Sequence, residues 1–307
     1  MLKAVTVVNY LGNSLRMELA NPWNTGLAII SIDGLGPAQA DVNVTDISTN
    51  DGGLYNSARL QKRNIVLNLR YLISTLTPTI EESRLLTYKY FPIKKKLKLI
   101  FETDIRTAEI EGYVEKNEPN IFSQTSGCQI SIICPDPYFY SSGEDGTKYT
   151  TFSGTESDFE FPFENNSLSE NLIEFGIIER YSERSVYYTG DAEIGVEIIM
   201  HAVGEVGDVS IFNVGTRESM SLSSERLAAL TGSALKAGDE VTISTIKGHK
   251  FITLLRDGVS TNILNCLNRD ADWFQLAKGD NIFTFTATTG SVNLQFKIKS
   301  KVVYEGV

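Results

Sequence analysis

The sequence is poor in the residues that most often carry chemistry. Among 307 residues there are two histidines, His201 and His249, and three cysteines, Cys128, Cys134 and Cys266. A histidine-built metal site needs further ligands at fitting spacing, and no CxxC pair exists to hold zinc or to cycle a disulfide. An odd cysteine cannot pair within the chain. Cys128 and Cys134 lie six residues apart in one strand-like run. That places them about 20 Å apart if extended, against the roughly 4.4–6.8 Å between Cα atoms that a disulfide needs. All three are expected to be buried thiols in a reducing compartment.

Long apolar runs are missing too. No window approaches 18 consecutive apolar residues, so no membrane-spanning helix is expected. The first residues, MLKAVTVVNYLGNSLRMEL, lack the small-residue cleavage pattern of a leader, so a soluble protein made in the cytoplasm is the expectation. Basic charge is in deficit: 28 Lys and Arg against 38 Asp and Glu give a net charge of −10. That argues against nucleic-acid binding, which calls for a basic patch. The one basic run, Lys94-Lys95-Lys96 with Lys98, leads into Leu97, Leu99, Ile100 and Phe101 and reads as the solvated edge of a strand. No GxSxG elbow occurs, and Gly34 and Gly36 lack the Lys-Ser/Thr that would complete a phosphate loop. No catalytic, cofactor-binding or metal-ligating residue is named, no cofactor is expected, and the chain is read as a non-enzyme.

What is present is strand. The runs at 63–72, 96–102, 108–116 and 128–134 are rich in β-branched and aromatic residues. In 292–299, Val292, Leu294, Phe296 and Ile298 alternate with Asn293, Gln295, Lys297 and Lys299, a period of two that predicts one dry and one wet face. One helix stands out over 77–92. Thr79 and Glu82 fit a capping box, Leu85, Leu86 and Tyr88 supply an apolar side, and Pro92 blocks continuation. A shorter helix of one or two turns is predicted at 223–230. The fold class is mainly β with some α, in two domains.

The boundary is read from CQISIICPDPYFY, 128–140. Pro135 and Pro137 cannot donate to a sheet ladder, so the strand ends there. Tyr138, Phe139 and Tyr140 can pack the exit segment against the domain it leaves, and the Gly-, Ser- and acid-rich stretch 141–158 reads as a linker. The domains are therefore 1–140, α+β, and 141–307, a β-sandwich.

Three Gly-Asp pairs, at Asp191, Asp239 and Asp280, each precede a strand. They are read as entry turns rather than as a converging acid cluster. Asn268, Asp270 and Asp272 begin like a calcium loop, but Trp273 stands where the turn glycine belongs and Gly279 where the bidentate Glu belongs. An exposed indole could stack on a sugar ring. Trp273, before Phe274 and Leu276, instead suggests packing, and Trp23 lies in a turn.

Several pieces in fixed order carry a resemblance. They are IEESRLLTYKYFP leading into KKKLKLIFETDIRTAEIEGYVEK, then ISIICPDPYFY, YYTGDAEIGVEIIM, ALKAGDEVTISTIKGHKFITLLRDGVSTNIL, DWFQLAKGDNIFTFTA and KIKSKVVYEGV. Together, along nearly the whole chain, they resemble the siphophage distal tail proteins (the Dit family). The stretch SSERLAALTGSALKAG departs from it by looking longer than the family's usual connection.

The resemblance implies an N-terminal split β-barrel with a helix, six copies of which close a ring around a channel, and a C-terminal galectin-like β-sandwich. It implies a structural hub of the virion tail, from a phage, a prophage or a tail-derived bacteriocin. Such a hub joins the tail tube to the tail tip or baseplate. Its partners would be itself, the major tail tube protein and a tail-associated lysin, fibre or other baseplate protein. The alternative is a carbohydrate-binding adhesion protein that recognises host cell-wall polysaccharide through the second domain. The expected ring interface is strand 63–72 with helix 79–90.

Overall fold

Strand Arg63–Tyr71 alternates without a break: Arg63, Ile65, Leu67, Leu69 and Tyr71 are buried, and the residues between them are not. The computed structural model describes residues 1–46, 51–120, 125–143, 146–156, 177–180 and 183–307, with backbone alone at 153–156 and 177–180. Positions 144–145 and 157–158 of the predicted linker lie outside the described residues. The chain divides into two units, one of Met1–Gly146 with Val303–Val307, the other of Thr147–Val302.

The first unit begins with strands β1 (Leu2–Val8), β2 (Ser14–Glu18), β3 (Leu27–Asp33), β4 (Ala40–Asp46), β5 (Gly53–Leu60) and β6 (Arg63–Tyr71). Helix α1 (Ile80–Tyr90) follows, then β7 (Lys96–Thr103), β8 (Thr107–Asn120), β9 (Gly127–Cys134) and β10 (Phe139–Ser141). The main sheet runs β2-β1-β7-β8-β9-β6-β3, antiparallel at every step. Its end strands β2 and β3 approach each other without pairing, so the sheet curls toward a barrel and stays open. Alternate residues of each strand converge on one core, including Val5, Val7, Leu97, Leu99, Phe101, Ile110, Ile130 and Ile132. Each such side chain removed from water contributes about 1.5–3 kcal/mol.

The capping box of α1 forms in full: Thr79 Oγ1 accepts from the Glu82 N–H, and the Glu82 carboxylate accepts from the Thr79 N–H at 2.9 Å. The buried side of this helix differs from the expectation. Ser83 and Thr87 face inward, while Leu85 and Tyr88 are exposed. Small side chains let the helix lie close to the sheet, and both hydroxyls are satisfied locally, Ser83 on the Leu72 carbonyl and Thr87 on the Arg84 carbonyl. Leu86, also on the predicted apolar side, packs against the core as expected.

The second unit holds β11 (Thr147–Thr151), β12 (Ser153–Glu156), β13 (Ile177–Arg180), β14 (Glu183–Tyr188), β15 (Ile194–Gly195), β16 (Glu197–Ala202), β17 (Val209–Asn213) and β18 (Glu218–Leu222). It continues with α2 (Ser224–Thr231), β19 (Glu240–Ser244), β20 (Phe251–Arg256), β21 (Val259–Asn262), β22 (Gln275–Leu276), β23 (Gly279–Ala287) and β24 (Leu294–Lys301). A six-stranded sheet, β11-β24-β16-β19-β20-β21, accompanies a four-stranded one, β14-β23-β17-β18. Aromatic rings join the two sheets: Phe285 of β23 stacks on Phe296 of β24 at 5.1 Å, and Phe152 meets both rings edge-on. This is a sandwich core.

Strand β24 starts two residues later than its pattern predicts. Gly290 takes a left-handed conformation and opens a short 3₁₀ turn at Ser291–Asn293, which leaves Val292 exposed. Leu294, Phe296 and Ile298 are buried as expected.

The last strand, β25 (Val303–Tyr304), returns to the first unit and pairs with β10, which also pairs with β8.

Candidate functional site

Each residue considered for chemistry has a local structural task. Asp239 is buried and bound by Arg256 through Nε–Oδ1 at 2.9 Å and Nη2–Oδ2 at 2.6 Å, and by the Lys236 N–H at 2.9 Å. Burial pushes its pKa up, but the guanidinium and the N–H outweigh this and hold the carboxyl below its ordinary value. Asp280 accepts from Ser185 Oγ at 2.7 Å on the neighbouring strand. Asp191 lies in the turn before β15. Asp239 precedes a strand of the six-stranded sheet and Asp280 lies in one of the four-stranded sheet, so the three Gly-Asp turns remain separate devices.

The calcium-like stretch is tied to β18. The Asn268 N–H donates to the Ser221 carbonyl and Asp272 accepts from the Ser219 N–H. Among the described residues no three His, Cys, Asp or Glu side chains gather as metal ligands. His201 sits near the end of β16, opposite Glu240, and His249 packs edge-on against Phe251. Cys128 and Cys134 occupy opposite ends of β9, and all three cysteines are free and buried. Burial pushes the Cys134 thiol up to about 12, so it is no nucleophile at neutral pH. The Lys250 ammonium lies 4.9 Å from the Trp273 ring centre and occupies one face of that indole, whereas Trp23 is exposed. No helix among the described residues is long and apolar enough to cross a membrane.

Sequence reasoning missed the role of one residue, Arg63. Its guanidinium is buried and donates to four backbone carbonyls: Pro137 at 2.7 Å, Gly34 at 2.5 Å, Gly36, and Glu305 at 2.7 Å. It also lies 4.5 Å from the centre of the Phe139 ring. Desolvation lowers its pKa, yet the group stays charged. The glycines that failed as a phosphate loop are therefore carbonyl ligands for this arginine. Gly34 sits at φ +87°, where a Cβ would lie 2.2 Å from the Asn64 carbonyl oxygen, so only glycine fits there. The predicted packing of the exit segment also takes shape here: Phe139 is buried and meets Phe101 edge-on at 5.8 Å.

What the first unit offers outward is surface. An open groove of about 730 Å³ lies where β8 ends and β9 begins, lined among others by Ile30, Asn68, Arg70, Asn117, Glu118 and Gln129. With one cation and one carboxylate among those six, it offers no paired acids for hydrolysis. Strand β6 is hydrogen-bonded on both sides, to β9 and β3, so its backbone has no edge to offer another subunit. Helix α1, the other half of the expected interface, does present Leu85 and Tyr88 to solvent.

Comparison with known proteins turns on this two-unit arrangement. The Dit protein of phage SPP1, described as a hub of the adsorption apparatus in phages infecting Gram-positive bacteria, superposes with a TM-score of 0.64. The alignment covers 97% of this chain and 99% of that one at 12% identity. The chain has the fold of a phage distal tail protein. Chains of the phage p2 baseplate in its activated conformation also match, with strontium (TM-score 0.53, 13% identity, 97% and 98% covered) and with calcium (TM-score 0.52, 12% identity, 98% and 99% covered). No family model and no curated protein matches the sequence. At such identity the fold persists while side chains do not, and no residue role is carried across.

Proposed function

We propose that the chain is a structural virion protein, the distal tail hub of a phage-type tail. Copies of it close a hexameric ring that joins the tail tube to the tail tip or baseplate. The observation that carries this reading is the end-to-end likeness to SPP1 Dit, with 97% of one chain on 99% of the other. Both units are matched in one chain order, which a shared sandwich alone would not produce. The absence of clustered acids and metal ligands among the described residues fits an assembly protein that acts through shape and backbone rather than reactive side chains. Ring closure requires heterologous contacts, in which one patch meets a different patch on the next copy. The partners of such a hub are its own copies, the tail tube protein and a baseplate or fibre protein, and its place is the virion tail.

The test is direct. The purified protein is examined by light scattering after size exclusion and by negative-stain microscopy. Closed rings of six are expected. A monomer that persists to the highest soluble concentration and shows no rings overturns the reading. A glycan array with the same protein tests the adhesion alternative, in which the second unit would bind a cell-wall polysaccharide.

A further inference from the structure

Strands β4 and β5 form a ribbon that the rest of the chain leaves uncovered. Every residue of β4 is exposed, and so is every residue of β5 except Leu60, which is half-buried. The two strands pair only with each other. A lone two-stranded ribbon is marginal in water, yet this one is patterned. The cross-strand pairs Ala40–Leu60, Val42–Ala58 and Val44–Tyr55 share one face, while Asp41–Arg59, Asn43–Ser57 and Thr45–Leu54 share the other. Period-two alternation belongs to a ribbon with one dry side. Here the apolar side has no cover: Val42 is 54%, Val44 49% and Tyr55 62% exposed.

The ribbon is also acidic. Arg59 pairs with Asp41 at 3.3 Å, while Asp46 and Asp51 have no ion pair among the described residues. The complementary surface lies elsewhere on the same unit. The turn after β1, the end of α1 and the turn before β7 meet there. The Asn9 side chain donates to the Lys89 carbonyl at 3.2 Å, and the Lys95 ammonium lies 5.3 Å from the centre of the Tyr10 ring. This patch exposes Tyr10, Leu11 and Ile93 beside Lys89, Lys94 and Lys95, none of which meets a carboxylate among the described residues. It is apolar and basic where the ribbon is apolar and acidic.

We infer that the β4–β5 ribbon is the clasp between copies, its Val42–Val44–Tyr55 face seated on the Tyr10–Ile93–Lys95 patch of a second copy of this chain. The two surfaces differ, so the contact is heterologous, as a closed ring requires. Opposite charge around an apolar centre sets its register. The inference rests on the ring reading above and names the element that makes the ring.

The experiment uses the full chain. Val44→Asp and Tyr55→Asp each place a charge on the apolar face, where the isolated subunit has nothing to unfold, so the thermal melt of the subunit should not move. Both variants should run as monomers under conditions where the unaltered protein forms rings. Reversing the ribbon with Asp46→Lys and Asp51→Lys should weaken the ring at least tenfold, and adding Lys94→Glu and Lys95→Glu should restore it. As a positive readout, Val44→Cys combined with Ile93→Cys should give a ladder of disulfide-linked oligomers on oxidation, since the three native thiols are buried. If the unaltered protein makes no rings, the ring reading and the clasp fall together. If it makes rings that survive both Asp substitutions and give no ladder, the clasp alone is wrong and the ring reading stands.

Discussion

Each unit ties down one arginine with several hydrogen bonds, Arg63 buried in the first and Arg256 half-buried in the second, and the two are handled in opposite ways. Arg256 in the second unit faces a carboxylate. Besides Asp239 it binds Thr231, Ser233 and the Ala234 carbonyl, all within 25 residues in the chain. Hydrogen bonding to Asp239 raises its pKa. Arg63 in the first unit has only neutral carbonyls as hydrogen-bond partners, on segments 27 to 242 residues away. A guanidinium offers five donors in a rigid fork. Enough carbonyl dipoles can replace a counterion, and they bring a different benefit. Arg256 braces one local loop against itself, whereas Arg63 holds the glycine turn, the exit segment and the returning C-terminal segment together.

The contrast can be tested unit by unit, because Trp23 reports on the first unit and Trp273 on the second. Trp273→Phe or Trp23→Phe leaves a single fluorophore in each background. The largest effect is expected for Arg63→Met, which keeps the volume but leaves four carbonyls without their donor. It should cost on the order of 4 kcal/mol in denaturant unfolding followed at Trp23. A loss below 1 kcal/mol would mean that water replaces the guanidinium and the staple is idle.

Asp239→Asn strands the Arg256 charge and should cost about 3 kcal/mol, read at Trp273. The pH response separates the two arginines further. The folded-state pKa of Asp239 is depressed, so its contribution is present above the unfolded carboxylate value of about 4 and is lost as pH falls through the folded one. Melting curves at Trp273 should therefore fall on acidification, and Asp239→Asn should flatten that fall. Arg63 exchanges no proton in this range and should add no acid dependence at Trp23.

The smallest effect concerns the helix starts. Thr79→Ala breaks the reciprocal box of α1 and should cost about 1 kcal/mol. Ser223→Ala removes the single bond to the Arg226 N–H at 3.4 Å and should cost less. Equal losses would show that the Thr79 Oγ1 bond at 3.2 Å is worth no more than the Ser223 Oγ bond at 3.4 Å.

The parts of this fold that were legible in the sequence are the local ones. Enrichment in β-branched and aromatic residues placed the strands at Arg63–Tyr71, Lys96–Thr103 and Gly127–Cys134, and Thr79 with Glu82 placed the start of α1. Long-range features were silent. Arg63 reads as a polar residue opening a strand, and its partners lie on three distant segments. The ribbon at 40–60 gave no strong signal, because the extra residue Asn56 breaks the alternation of its second strand between Tyr55 and Ala58. The inward face of α1 was misread because Leu85 and Tyr88 look like core, while the helix approaches the sheet through Ser83 and Thr87. Two residues of β25 carry no periodicity, so their pairing with β10 could not be foreseen.

That pairing sets an order of events during synthesis. The ribosome delivers β25 only after the whole sandwich-forming stretch has emerged, and Glu305, which caps the Arg63 fork, arrives with it. The body that would carry the ring contacts is thus finished last, although it starts first. A nascent subunit stalled anywhere before residue 303 would lack its closing strand, and its locking carbonyl would still be unmade.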